Sequence, residues 1–232
     1  MRFVIGAYAQ HTPEGKCGGS PQSLIEFGCG PARHAVEACL QGIERVTALD
    51  ANPRMLEYAG KLAAAAGAKV QFIEGRLEEV FSSEANLPEE FMPADLALLP
   101  LNTVAHALTN DDALRWLAAA GNALRPEGLL VMELPPLDDV FNGNLLQGDE
   151  WELEGEEEGE NDLKIVFGTK LDRFDFCSQE LQPLARLAGF GVEGVYGDME
   201  QPPHPDADLR TNKEAQCISY RFIVVLKKQQ ES

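Results

Sequence analysis

The order of strand-like and helix-like segments along the 232 residues predicts an α/β domain, a parallel sheet with helices wound over both faces. Three observations carry that prediction. The apolar run Ser23-Leu24-Ile25-Glu26-Phe27 leads into Gly28-Cys29-Gly30 and then into a helix-forming stretch. The next apolar run, Val46-Thr47-Ala48-Leu49, ends in a lone acid, Asp50. Further apolar runs recur after amphipathic segments at the spacing of strand-helix-strand units.

The elements follow in order. Ala32 to Leu40 reads as a helix with Ala35, Val36, Cys39 and Leu40 on one stripe and Gly42 as its stop. Asn52 suits an N-cap and Pro53 a first turn, while Met55, Leu56, Ala59, Leu62 and Ala63 form the apolar face of that helix and Gly67 closes it. Val70 to Ile73 and Leu96 to Leu99 read as strands. Asn110, Asp111 and Asp112 start a helix expected to run through Leu124, with Arg125-Pro126-Glu127-Gly128 as the turn into a fifth strand. Leu163, Ile165 and Phe167 alternate after the acidic run Glu154 to Asp162, which predicts a hairpin inserted within residues 136–178. A charge block at such a tip is ordinarily a solvated turn, the alternative being an acidic gate for cationic acceptors. Gln179 to Ala188 reads as the last helix, with Gly189 as its stop. Gly191 to Val195 and Ile218 to Leu226 read as strands around the Pro-rich stretch Gln201 to Pro205. The length suits one domain over residues 1–232.

Composition narrows the partners. Lys and Arg number 19 against 38 Asp and Glu, a formal charge of 19 − 38 = −19, and a nucleic-acid partner would need clustered cations instead. The five cysteines form no C-x-x-C pair, so neither a disulfide framework nor a metal site is expected. The first nine residues are too short and too weakly charged for a signal peptide, and no run approaches membrane-spanning length. A cytoplasmic protein with no membrane partner is the expectation.

The glycine motif points to a ligand. A dinucleotide site uses G-x-G-x-x-G, and here Arg33 stands in the third-glycine place, which disfavours a pyrophosphate. Glu26 at the strand tip suits a positive amino group, and Asp50 can accept both hydroxyls of a ribose. A nucleoside with a cationic amino-acid tail satisfies both.

These residues resemble the class I S-adenosylmethionine-dependent methyltransferases. Leu49 to Ala59 is similar to the family's second motif and Gln71 to Gly75 to its third strand. Asp95 to His106 is similar to its fourth-strand motif and Leu124 to Leu134 to its fifth. The resemblance implies a doubly wound, mostly parallel seven-stranded sheet of order 3-2-1-4-5-7-6 with one antiparallel strand. It implies S-adenosyl-L-methionine as cofactor and in-line methyl transfer to a small-molecule acceptor.

Residue by residue, the resemblance places Gly28, Cys29 and Gly30 against the methionine part of the cofactor and Glu26 near its amino group. Asp50 becomes the ribose ligand, with Ala51 and Met55 beside the adenine, and Gly75, Arg76 and Leu77 around its amine. Pro100 borders the cofactor, and Tyr8 corresponds to an aromatic that closes over it. Asn102 and His106 fall on the acceptor side, His106 as a candidate general base.

Three departures stand out. Arg76 replaces an acid that accepts from the adenine amine in many relatives, and Arg has no acceptor. His11 to Gln22 is short and rich in Gly and Pro where relatives carry a helix, and the chain passes directly from Cys177 to the last helix. The pocket is then open, completed by a second subunit as in a homodimer, or silent. The main rival is therefore a catalytically silent S-adenosylmethionine-binding or interaction module; a further one, an NAD-dependent oxidoreductase, is disfavoured by Arg33 and Glu26.

Overall fold

The computed structural model describes residues 1–101, 103–134, 178–196 and 222–230. Seven strands form one sheet: β1 (Ser23–Phe27), β2 (Arg45–Asp50), β3 (Val70–Glu74), β4 (Ala94–Leu99), β5 (Leu124–Leu134), β6 (Phe190–Tyr196) and β7 (Phe222–Lys228). Their order is 3-2-1-4-5-7-6, as expected, and β7 runs antiparallel to both of its neighbours. The helices are α1 (Arg2–His11), α2 (Pro13–Lys16), α3 (Arg33–Leu40), α4 (Pro53–Ala66), α5 (Leu77–Val80), α6 (Asn110–Asn122) and α7 (Ser178–Leu187). The hairpin expected within residues 136–178 and the Pro-rich stretch at 201–205 lie outside the described residues, apart from the Ser178 that begins α7.

Alternate side chains of each central strand enter opposite cores, because successive Cβ atoms point to opposite faces. Leu24, Leu96, Leu98, Leu129 and Val131 pack with α1, α3 and α4. Ile25, Phe27, Ala97, Leu99, Leu130 and Met132 pack with α5, α6 and α7. Every residue of β1 and β4 is buried, as a parallel sheet covered on both faces requires.

Several elements differ from the expectation. The N-terminus is helical: α1 buries Phe3, Val4, Ala7, Tyr8 and His11, and α2 follows within the stretch read as Gly/Pro-rich loop. Thr12 caps α2 by accepting from the Gly15 N–H. In α3 the buried positions are Ala35 and Ala38, while Leu40 is 60% exposed, so two small residues rather than a Leu-bearing stripe let this helix sit close to the sheet. Thr109, not Asn110, caps α6 by accepting from the Asp112 N–H, and the helix ends at Asn122. Residues Arg125 to Gly128 form a bulge inside β5, not a turn before it. A Cβ on Gly128 would stand 2.9 Å from the Arg125 carbonyl oxygen and 3.1 Å from that of Ala94, so only glycine fits. For α4 the expected Asn52 cap, Pro53 first turn and left-handed Gly67 stop are all present.

A saturated polar cluster ties the amino ends of the strands. Asp95 Oδ2 accepts from the backbone N–H of Gln22 (2.7 Å) and Ser23 (2.9 Å) and from the Ser23 hydroxyl (3.0 Å). Arg125 donates to the other oxygen, and its outer nitrogens reach the Tyr8 hydroxyl at 3.0 Å and Glu14 at 3.3 Å. Burial opposes ionisation of Asp95, yet these hydrogen bonds outweigh it and hold its pKa below the usual carboxylate range.

Candidate cofactor and active site

The carboxyl ends of β1 to β5 form the opposite edge, where an open α/β sheet receives ligands. Gly28 (φ 58°) and Gly30 (φ 49°) both adopt the left-handed conformation that swings the chain from β1 into α3. A Cβ on Gly28 would stand 2.6 Å from Thr103 Cγ2, so the turn after β4 closes directly over this glycine. Beside Gly30 nothing approaches within 4 Å of a Cβ position, which leaves the turn open there. Cys29 is buried between them, its N–H donating to the Leu49 carbonyl at 2.9 Å, and burial pushes its thiol pKa far up.

Asp50 joins three loops. Its Oδ2 accepts from the Gly30 N–H at 2.7 Å and its Oδ1 from the Asn52 N–H at 2.8 Å, while its carbonyl accepts from the Gly75 N–H at 3.0 Å. An ionised carboxylate has about four acceptor sites, so these two side-chain bonds leave capacity for ribose hydroxyls. Ala51 is exposed and Met55 half-buried on the same edge.

Glu26 is placed differently from the expectation. Its side chain turns into the start of α3, where Oε2 accepts from the Ala35 N–H at 2.8 Å and Oε1 meets His34 Nδ1 at 2.9 Å. With 1% exposure, Glu26 anchors the helix that follows the glycine turn. The hydrogen bond with Glu26 raises the His34 pKa against the opposing effect of burial.

Tyr8 is brought to the wrong end of the sheet for a lid. It is 3% exposed, and its hydroxyl accepts from Arg125 at the amino ends of β4 and β5. A docked α1 holds it there, which a reading without that helix could not foresee. Pro100 is buried at the end of β4, and its carbonyl accepts from the Thr103 N–H at 3.1 Å. Asn102 lies outside the described residues. His106 is exposed at the end of the 3₁₀ turn Thr103–His106.

The β3-α5 loop holds the residues expected around adenine. Gly75 (φ 151°) admits Val80, whose Cγ2 would lie 2.4 Å from a Cβ there, and Leu77 is buried. Arg76 points outward with 61% of its side chain exposed, and its Nε donates to Glu78 Oε1 at 2.8 Å. Glu78 Oε2 is buried and has no hydrogen-bond donor among the described residues. Sequence reasoning missed Thr103 and Glu78. The close charge pair Arg76/Glu78 was the only signal for the second, and nothing in the sequence singled out the first. Among the described residues no cluster of His, Cys, Asp and Glu could hold a metal ion.

Residues 24–128 match the family model of a methyltransferase domain. Over that stretch the chain is similar to a methyltransferase domain. The cofactor that this likeness implies is S-adenosyl-L-methionine. Solved structures with the same fold include an S-adenosylmethionine-dependent methyltransferase of Clostridium acetobutylicum (14% identity, 90% of this chain and 84% of that one, TM-score 0.62). Another is the CcbJ methyltransferase of Streptomyces caelestis (18% identity, 90% and 84% covered, TM-score 0.60). A third is a methyltransferase of Methanosarcina mazei (15% identity, 90% and 93% covered, TM-score 0.58). No curated protein matches the chain. The residues of the edge fit the cofactor: an open glycine turn, a carboxylate with spare acceptor sites beside it, and a buried carboxylate oxygen without a donor.

Proposed function

We propose that this methyltransferase transfers a methyl group to a small-molecule acceptor by in-line displacement at the carboxyl edge of its sheet. The observation that carries the reading is the Gly28–Gly30 turn, open at Gly30 and tied through the Gly30 N–H to Asp50 of the neighbouring strand. S-adenosylmethionine, when bound, supplies an electrophilic methyl on a positively charged sulfur. The chain's own task is to hold two partners in line, and positioning of that kind contributes about 7–11 kcal/mol in favourable cases.

Asp50 is assigned to the ribose hydroxyls, with Ala51 and Met55 along the base. The backbone of Gly28 to Gly30 is assigned to the amino-acid tail. Glu26 keeps α3 and the turn in register, a positioning role beside the expected place near the cofactor's amino group. Carboxylates gather at this edge, Asp50 and Glu74 ending β2 and β3 and Glu26 and Glu133 standing one residue before the ends of β1 and β5, and their field favours a cationic ligand. The acceptor belongs above Thr103, where Leu101 is 73% exposed and Leu108 46% exposed beside His106, so an acceptor with an apolar body finds surface there. Asn102 and His106 follow β4 and are assigned to the acceptor side, His106 to take a proton where the acceptor carries one. Such a base contributes roughly 10²- to 10⁴-fold.

Calorimetric titration with S-adenosylhomocysteine and with NADH tests the binding half, and a site that takes NADH alone would end the proposal. Turnover of labelled S-adenosylmethionine against amines, phenols and carboxylic acids tests the transfer half. Methylation of a panel member supports it, and silence across the panel by a protein that binds the cofactor points to a binding module.

A further inference from the structure

We infer that Glu78 is the residue that recognises the adenine amine, with Arg76 as its positioning partner. The inference rests on the assignment of this edge to S-adenosylmethionine, and it concerns which residue reads the base.

The starting point is an acceptor without a donor. Glu78 Oε1 is met by Arg76 Nε at 2.8 Å, whereas Oε2 is buried and takes no hydrogen bond among the described residues. An ionised carboxylate can only accept, so this oxygen demands a donor. Buried polar atoms in folded proteins are satisfied in the great majority, and one that is not calls for an explanation, of which a donor from outside the chain is one.

Its place in the fold says what that partner is. Glu78 lies in the first turn of α5, three residues after Gly75, and the Gly75 N–H is bonded to the carbonyl of Asp50. Glu74 and Asp50 are paired residues at the ends of β3 and β2. A nucleoside whose ribose rests on Asp50 therefore has the β3-α5 loop as the neighbour of its base. Adenine carries an amine donor on its pairing edge. That donor matches the unmet oxygen.

Arg76 has a defined part in this arrangement. Its guanidinium, mostly exposed, bonds one Glu78 oxygen and lies 3.9 Å from Glu79, so it fixes the rotation of the carboxylate and leaves the other oxygen buried. Arg76 itself offers donors only and could not accept from the amine. The cation at this position therefore turns a neighbouring acid toward the base.

Selectivity follows from the same chemistry. A carboxylate that accepts from the adenine amine faces an acceptor instead when a keto oxygen replaces that amine, and such a mismatch is strongly rejected. The test is calorimetric binding of S-adenosylhomocysteine and of its inosine analogue to the full chain, with thermal midpoints confirming folding. Wild type is expected to prefer the adenine ligand by about 100-fold or more. Glu78→Gln, whose amide can donate to the keto oxygen, is expected to weaken the adenine ligand by about tenfold and to narrow the preference to within about tenfold. Arg76→Gln is expected to weaken the adenine ligand less, by a few-fold. Two results overturn the inference while leaving the cofactor assignment intact: wild type that binds both ligands equally, or Glu78→Gln with an unchanged preference. Failure of wild type to bind S-adenosylhomocysteine at all instead removes the assignment on which the inference rests.

Discussion

At the amino end of the sheet, Asp95 has both oxygens occupied, one by Arg125 and the other by two backbone N–H groups and a serine hydroxyl. At the carboxyl end, Glu78 has one oxygen met and the other buried without a donor. Asp50, on the same edge, uses its two oxygens for one backbone N–H each and keeps further acceptor sites. The side chains are alike, and what separates a staple from a site is whether the fold itself exhausts their hydrogen-bonding capacity. Backbone strain does not separate the two ends: Ala32 and Leu101 are left-handed near the carboxyl edge, and Glu90 and Glu127 near the amino edge.

Asp95→Ala should give the largest effect and confine it to stability. Removing one partner leaves Arg125 and two N–H groups without their acceptor in a partly buried place, which costs about 3–5 kcal/mol in comparable buried pairs. Urea unfolding measures the loss. If the two ends are as separate as the geometry indicates, the affinity of the folded variant for S-adenosylhomocysteine stays within about twofold of wild type, a change under ~0.5 kcal/mol. A large loss of affinity would join the ends and break the comparison.

Asp50→Ala probes the other end. It removes the expected ribose acceptor and frees the Gly30 N–H, so binding of S-adenosylhomocysteine should weaken by roughly 1–3 kcal/mol. An unchanged dissociation constant in a folded variant would take Asp50 out of the site. Tyr8→Phe is smaller and more pointed, since the family resemblance implies a place for Tyr8 over the cofactor and the fold puts it at the amino edge. Loss of its hydroxyl, which accepts from Arg125, should cost about 1 kcal/mol of stability and no affinity. Weakened cofactor binding would instead restore its role as a lid.

Most of the sheet was legible because its signals are local and repeated. Asn52-Pro53 and Gly67 bracket α4 in the sequence and do so in the fold, and the strand order followed from the resemblance carried by the ordered motifs. What escaped depends on distant contacts. The buried face of α1 gains meaning only against Leu96, Val131 and Ile223, and Gly15 and Pro13 disguise the helices as loop. Glu26 looked free because the α3 N–H that takes it lies nine residues on, and Glu78 looked ordinary because an unmet oxygen is a property of packing. Among the residues proposed for the site, the glycine turn after β1 and the place of Asp50 at the end of β2 were readable, whereas the outward direction of the Arg76 side chain was not.

The finest comparison uses two histidines, one at each end. His34, at the carboxyl edge, has its pKa raised by the hydrogen bond with Glu26, above the ordinary value of 6.5. Its contribution to stability is complete below about pH 6.5 and is lost as pH rises through the folded-state pKa, because only the protonated ring gains from the carboxylate. His11, on α1, bonds the Tyr196 hydroxyl at 2.6 Å, and burial lowers its pKa. Glu193 opposes that shift, while Lys16 and Lys227 add to it. Its contribution has the opposite sign: complete above about pH 6.5, it is lost as pH falls, because the unfolded chain takes the proton first. Thermal midpoints across this range should therefore decline on the alkaline side less in His34→Gln than in wild type, and on the acid side less in His11→Asn, each variant compared with its own maximum. Since His34 holds the start of the helix behind the glycine turn, S-adenosylhomocysteine affinity should follow the His34 titration and ignore that of His11. An affinity profile unaltered by His34→Gln would show that Glu26 holds α3 through the Ala35 N–H alone.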